Sequence, residues 1–127
     1  MKRVLIADDE PIERMIVTRT IQKYFPEELA VVSAVNGREA VEQFFAENCQ
    51  IALLDIEMPG ISGLEAAEQI RERDKNCSII FLTAFDEFNY AKRAIAVRAM
   101  EYLLKPVVDQ ELEAVLAEAI RIADEHT

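Results

Sequence analysis

"IALLDIEMPGISGLE" runs from Ile51 to Glu65. Four apolar residues lead up to Asp55, and a turn carrying Pro59, Gly60 and Gly63 follows. A short apolar run bounded by turn residues reads as a buried strand. A buried strand that ends on a bare carboxylate needs something to compensate the charge. The same cadence recurs along the chain. Apolar runs appear at Arg3–Ala7, Leu29–Ala34, Ile51–Leu54, Ser78–Leu82 and Glu101–Leu104. Segments with helical spacing alternate with them. The first carries Ile12, Met15, Ile16, Arg19 and Ile21 on a mostly apolar face, with Glu13, Arg14 and Lys23 outside. The second carries Ala40, Val41, Phe44 and Phe45. The third carries Leu64, Ala67 and Ile70, and the fourth Ala91, Ala94, Ile95 and Val97. The last carries Leu112, Val115, Leu116, Ala119, Ile120 and Ala123. Pro11 suits a first helical turn. Asn36-Gly37 marks the turn before the second helix, Ser62 is placed to cap the third, and Asp86 and Asp109 to cap the fourth and fifth.

Five strand-then-helix units with near-continuous apolar strands imply a parallel sheet covered on both faces. The fold class is therefore α/β, a single doubly wound (βα)5 domain over residues 1–125. The chain has 127 residues, enough for one real core. Apolar content of 51% and charged content of 30% suit a soluble globular protein. No apolar run approaches the ~20 residues that a membrane helix needs. The basic start of MKRVLIADDE is interrupted by acids too early for a signal peptide. A cytoplasmic protein is expected, without membrane association. A net charge of −10 disfavours direct nucleic-acid binding by this segment. The one histidine, His126, stands at the C-terminal end, so chemistry in the folded body falls to carboxylates, lysine and hydroxyls. Cys49 and Cys77 precede the third and fourth strands. They are read as two small, partly buried residues, with a disulfide as the less favoured alternative.

Ligands of open parallel sheets gather at the carboxyl ends of the strands. There the sequence delivers Asp8-Asp9-Glu10, Asp55, Thr83 and Lys105-Pro106. Alone, each has a plainer reading: Asp8-Asp9 as helix caps, Pro106 as a strand stop, Tyr102 as a half-buried strand aromatic. Together they put complementary chemistry on one edge. Crowded carboxylates repel unless a cation compensates, and a hard divalent ion such as Mg²⁺ would do so. A phosphoryl group arriving there would meet an ammonium and a hydroxyl, and a carboxylate can act as its nucleophile. Asp55, central and beside small glycines, is the candidate.

In this set the chain resembles the receiver domains of two-component response regulators. The carriers are Asp8-Asp9, "LLDIEMPGISGLE" around Asp55, "FLTA" with Thr83 and "YLLKP" with Lys105, and the likeness spans roughly the whole chain. The resemblance implies a flavodoxin-like (CheY-like) sheet of order 2-1-3-4-5 and phosphoryl acceptance by Asp55 from a sensor histidine kinase. It implies Mg²⁺ held by Asp9, Asp55 and the main-chain carbonyl of Glu57, with Asp8 acting through water. Lys105 would pair with Asp55 and then with the phosphoryl oxygens. Thr83 and Tyr102 would form the switch, and Lys105-Pro106 would be joined by a cis bond. The helix 4, strand 5, helix 5 face would carry the signal to a partner or a second copy. It could support a homodimer, or its charges could be solvated faces. "LTAFDEFNYAKRAI" with "YLLKPV" is similar to receivers that precede an AraC-type helix-turn-helix output domain. That domain is not within this chain, which is expected to be an excised receiver rather than a single-domain regulator. Phe85 and Glu57 would border the acyl phosphate, and slow dephosphorylation is expected. The alternatives are a stand-alone phosphorelay protein or a phosphorylation-independent pseudo-receiver. A haloacid-dehalogenase-type phosphatase is disfavoured, because Glu57 stands where a second aspartate is needed. Flavin binding is disfavoured because no phosphate loop rich in Ser, Thr and Gly follows strand one.

Overall fold

The computed structural model of the protein describes residues 1–126. Five strands, β1 (Lys2–Ala7), β2 (Leu29–Ala34), β3 (Ile51–Asp55), β4 (Ser78–Thr83) and β5 (Glu101–Leu104), alternate with five helices. The helices are α1 (Pro11–Tyr24), α2 (Gly37–Ala46), α3 (Gly63–Arg73), α4 (Phe88–Ala96) and α5 (Asp109–Glu125). All strand pairs are parallel, in the order β2-β1-β3-β4-β5. β3 and β4 are buried along their whole length, which is why their sequences are continuously apolar.

Alternate side chains of the strands feed two cores. Leu5, Ala52, Leu54, Ile79 and Phe81 pack with Ala40 and Phe44 of α2, Leu64, Ala67 and Ile70 of α3, and Ala94 of α4. Val4, Ile6, Leu53, Ile80 and Leu82 pack with Ile21 of α1 and Leu112, Val115, Leu116 and Ala119 of α5. β1 sits between β2 and β3, so the chain leaves it in opposite directions. That reversal opens a crevice at the carboxyl ends of β1 and β3. Asp55 is the last residue of β3 and Thr83 the last of β4.

Helix starts agree with the sequence in part. Pro11 occupies the first position of α1. The Asn36 and Ser62 side chains accept from the amides of Glu39 and Glu65. The caps expected at Asp86 and Asp109 do not form. Glu87 and Val108 hold those N-cap positions without a side-chain bond. Asp109 is the first residue of α5 instead, and its carboxylate accepts from the Thr20 hydroxyl on α1 at 3.3 Å. Asp8 and Asp9 do not cap α1 either, since Glu10 stands at that N-cap.

The expected inner face of α1 is displaced. Ile12, Met15 and Ile16 are 66%, 44% and 51% exposed, whereas Thr20 and Ile21 are buried. The inward stripe is Val17, Thr20 and Ile21, a threonine standing where apolar spacing alone would not place the core. On α4, Ile95 likewise faces solvent while Ala94 and Val97 turn inward. Cys49 and Cys77 are free buried thiols, and burial pushes each up to about 11. Among the described residues, no helix is long and apolar enough to cross a membrane.

Candidate functional site

Four strand ends supply the site. β1 runs into Asp8, whose amide still bonds to the Ala34 carbonyl of β2 at 3.1 Å, and Asp9, where the chain turns toward α1. The Asp8 side chain accepts from the Glu10 amide at 3.0 Å, and Arg14 of α1 donates to the Asp8 carbonyl at 2.6 Å. β3 delivers Asp55. Behind it, a Cβ on Gly63 would lie 2.1 Å from the Asp55 carbonyl oxygen. Only glycine lets α3 begin this close to the strand. Gly60, at φ +78°, makes the intervening turn. β4 delivers Thr83, fully buried, and β5 delivers Lys105 just past its end. The Lys105 amide bonds to the Thr83 carbonyl at 2.8 Å, and the Lys105–Pro106 peptide is cis.

Carboxylate oxygens of Asp8, Asp9 and Asp55 come within 4.8 Å of one another. Asp8 and Asp55 are buried and Asp9 is exposed, so the cluster has a dry wall and an open mouth. The Lys105 ammonium lies 3.0 Å from Asp8, 3.4 Å from Asp55 and 3.9 Å from Glu13. The lysine is thus shared, and its shortest contact is to Asp8. Burial pushes the Asp55 carboxyl up to about 6; Lys105 pulls it back, and the charges of Asp8 and Asp9 add to the rise. Burial also works against the Lys105 ammonium. The hydrogen bond to Asp8 and the surrounding carboxylates outweigh it and hold its pKa above the usual lysine value. One cation therefore does not neutralise the cluster. Three carboxylates on an open edge fit a hard divalent cation of Mg²⁺ type. The carboxylate of Glu57 lies outside this cluster and accepts a hydrogen bond from the Tyr90 hydroxyl.

The remaining residues singled out in the sequence surround this group. The Thr83 hydroxyl accepts from the Phe85 amide at 3.1 Å, so it is engaged by the β4–α4 loop. The Tyr102 hydroxyl donates to the Phe85 carbonyl at 2.7 Å, and its ring lies 6.5 Å from that of Phe81. Both switch candidates therefore fasten the same loop. Two participants were not legible in the sequence. Glu13, assigned to the outer face of α1, turns toward Lys105, and Tyr90 of α4 reaches the β3–α3 loop. Position 13 lies four residues after Asp9, within the first turn of α1. Only the true phase of the helix brings it inward.

Comparison with known proteins gives consistent matches. The profile of the response regulator receiver domain matches residues 4–117. The positive alginate biosynthesis regulatory protein of Pseudomonas aeruginosa is 41% identical over 118 residues, 93% of this chain and 47% of that one. The transcriptional regulatory protein YesN of Bacillus subtilis is 33% identical over 120 residues, 94% of this chain and 33% of that one. The chain thus spans half or less of the length of these relatives. Among solved structures, the response regulator TrrA of Thermotoga maritima, in complex with Mg²⁺-BeF, is 39% identical with a TM-score of 0.83, covering 94% and 99% of the two chains. The receiver domain of AraT, a response regulator of Geobacillus stearothermophilus, is 35% identical with a TM-score of 0.86, covering 98% and 97%.

Proposed function

The chain belongs to the response regulator receiver domain family, and from that premise we propose that Asp55 accepts a phosphoryl group from the phosphohistidine of a sensor kinase in a Mg²⁺-dependent transfer. One observation carries the reading. The buried Asp55 carboxylate shares a cluster with Asp8 and Asp9 while Lys105 stands 3.4 Å away.

In this reading an Asp55 carboxylate oxygen attacks phosphorus. The P–N bond to the kinase imidazole breaks, and the leaving nitrogen takes up a proton. Asp9, Asp55 and the Glu57 carbonyl would hold the metal, with Asp8 acting through water. The cation, when bound, neutralises charge developing on the phosphoryl oxygens. Lys105 adds a second positive charge on the same group. Thr83 exchanges its bond with the Phe85 amide for one to a phosphoryl oxygen. That frees the loop which Tyr102 also holds, and α4, β5 and α5 report the change. The chain's own chemistry is confined to accepting and losing this group, so it is a signalling domain rather than an enzyme with an external substrate. The relatives named as transcriptional regulators favour a transcriptional output in the full-length protein, of helix-turn-helix type. The exposed Phe88, Ile95, Leu104 and Val108 on the α4, β5, α5 side suit that contact or a homodimer. Between α1 and the start of α5, exposed Ile16 borders a groove of about 410 Å³ that Lys105, Pro106 and Leu112 also line. That groove suits the kinase.

The test is incubation with ³²P-labelled acetyl phosphate. The expected result is incorporation that needs Mg²⁺, stops with EDTA and is released by hydroxylamine, as an acyl phosphate requires. Incorporation that is indifferent to EDTA or stable to hydroxylamine would overturn the assignment.

A further inference from the structure

α4 is fastened unevenly. Three positions on the side facing α3 make ties. Near its start, the Tyr90 hydroxyl donates to the Glu57 carboxylate, and this bond raises the phenol pKa to about 12. In its middle, Arg93 pairs with Glu68 of α3 through bonds of 2.8 and 3.3 Å. At its end, the buried guanidinium of Arg71 donates to the carbonyls of Val97 at 2.7 Å and Arg98 at 3.3 Å, and also to that of Cys77 at 2.8 Å. Residues 90, 93 and 97 share one helical face. Phe88 and Ile95 lie off it, 81% and 77% exposed. The far end is therefore clamped by a buried charge on several carbonyls. At the end beside the site the Tyr90 ring packs only partly buried against the core, and its side-chain tie is one exposed hydrogen bond to a residue two positions after Asp55.

We propose that Tyr90 is a positioning residue for the acceptor site, its hydroxyl latching the first turn of α4 to Glu57 in the unphosphorylated arrangement and releasing when Asp55 is loaded. The inference rests on the receiver reading above. Its physical basis is a lever. In this structure the latch coexists with a Thr83 hydroxyl engaged by the Phe85 amide. A phosphoryl group that draws Thr83 away loosens residues 84–87, which lead directly into α4. Arg71 holds the other end, so the displacement falls on Tyr90. The added negative charge also stands close to the Glu57 carboxylate and disfavours keeping it in place. A contact present in only one of two arrangements shifts their equilibrium, and by linkage it shifts the affinity for whatever selects the other.

The test is titration of the whole chain with beryllofluoride and Mg²⁺. Wild type is compared with Tyr90→Phe, Glu57→Ala and the double variant, with hydrogen exchange followed across α4. Tyr90→Phe is expected to bind about threefold to tenfold tighter, the value of one lost hydrogen bond. In the Glu57→Ala background the same substitution should change nothing further. Beryllofluoride should speed exchange at Phe88–Lys92 in wild type and leave Val97–Ala99 protected. Equal affinity in wild type and Tyr90→Phe would overturn the latch while leaving the receiver reading intact. So would a Tyr90→Phe effect that persists without Glu57. A wild type that takes up no beryllofluoride would remove the receiver reading and the latch together.

Discussion

At the amino-terminal edge of the sheet, Arg71 is 8% exposed, and its guanidinium meets the carbonyls of Cys77, Val97 and Arg98. At the carboxyl edge, Asp8 and Asp55 are 5% and 7% exposed and share one ammonium with the exposed Asp9 nearby. Burial is the same at both edges, and the accounting of charge is opposite. Neutral carbonyls satisfy the arginine's donors and ask for nothing else. The carboxylates are left in excess, and burial, with the charges of Asp8 and Asp9, pushes the Asp55 carboxyl up to about 6. The first arrangement stabilises the chain. The second stores repulsion that a cation or a proton relieves, which is what a ligand-responsive site needs.

Loss of a partner matters most at the satisfied edge. Arg71→Ala should lower stability by about 2–4 kcal/mol, because it orphans carbonyls at the carboxyl end of α4 and before β4. Urea unfolding reads this directly. At the other edge the sign should reverse. Asp55→Asn should stabilise the metal-free protein by up to about 3 kcal/mol at neutral pH. The raised pKa sets the window. Between pH 3.8 and about 6 the folded chain binds the proton that the unfolded chain has lost, so stability falls as pH rises. The gain from Asn is therefore full above pH 6 and fades toward pH 4. Thermal melts of both proteins across that range test it. Mg²⁺ should erase part of the gap by stabilising wild type more than the variant.

A third outcome concerns the same proton. It must leave Asp55 before the carboxylate binds a metal. Apparent Mg²⁺ affinity should be flat above pH 7 and fall by about tenfold per unit below pH 6. Calorimetry at several pH values would show it, and Asp9→Asn should weaken binding throughout. The smallest effect belongs to the loop between the edges. Tyr102→Phe removes one hydrogen bond to the Phe85 carbonyl. It should cost about 0.5–1 kcal/mol and mainly speed amide exchange around Phe85.

The sequence carried the fold because apolar strands and amphipathic helices alternate without interruption. The register that brings Asp55 and Thr83 to one edge follows from where each run stops. Two kinds of information were missing from it. Helix phase was ambiguous in α1, where Ile12, Met15 and Ile16 offered an apolar stripe as good as the one actually buried around Ile21. Contacts between distant elements left no local trace. Asp109 bonds to Thr20 rather than capping α5, Glu13 turns to Lys105, and Arg71 reaches past its own helix to the end of α4. Such partners are set by packing, and neither spacing nor propensity encodes them. The acidic cluster was legible for a different reason. Carboxylates at the ends of buried strands conflict with local rules, and such conflicts concentrate where a protein does its chemistry.

Intact-mass spectrometry after incubation with acetyl phosphate and Mg²⁺, wild type beside Asp55→Ala, decides whether Asp55 is the phosphoryl acceptor. One phosphoryl adduct is expected on wild type and none on the variant. No adduct on wild type, or an adduct that survives the loss of Asp55, would contradict that role.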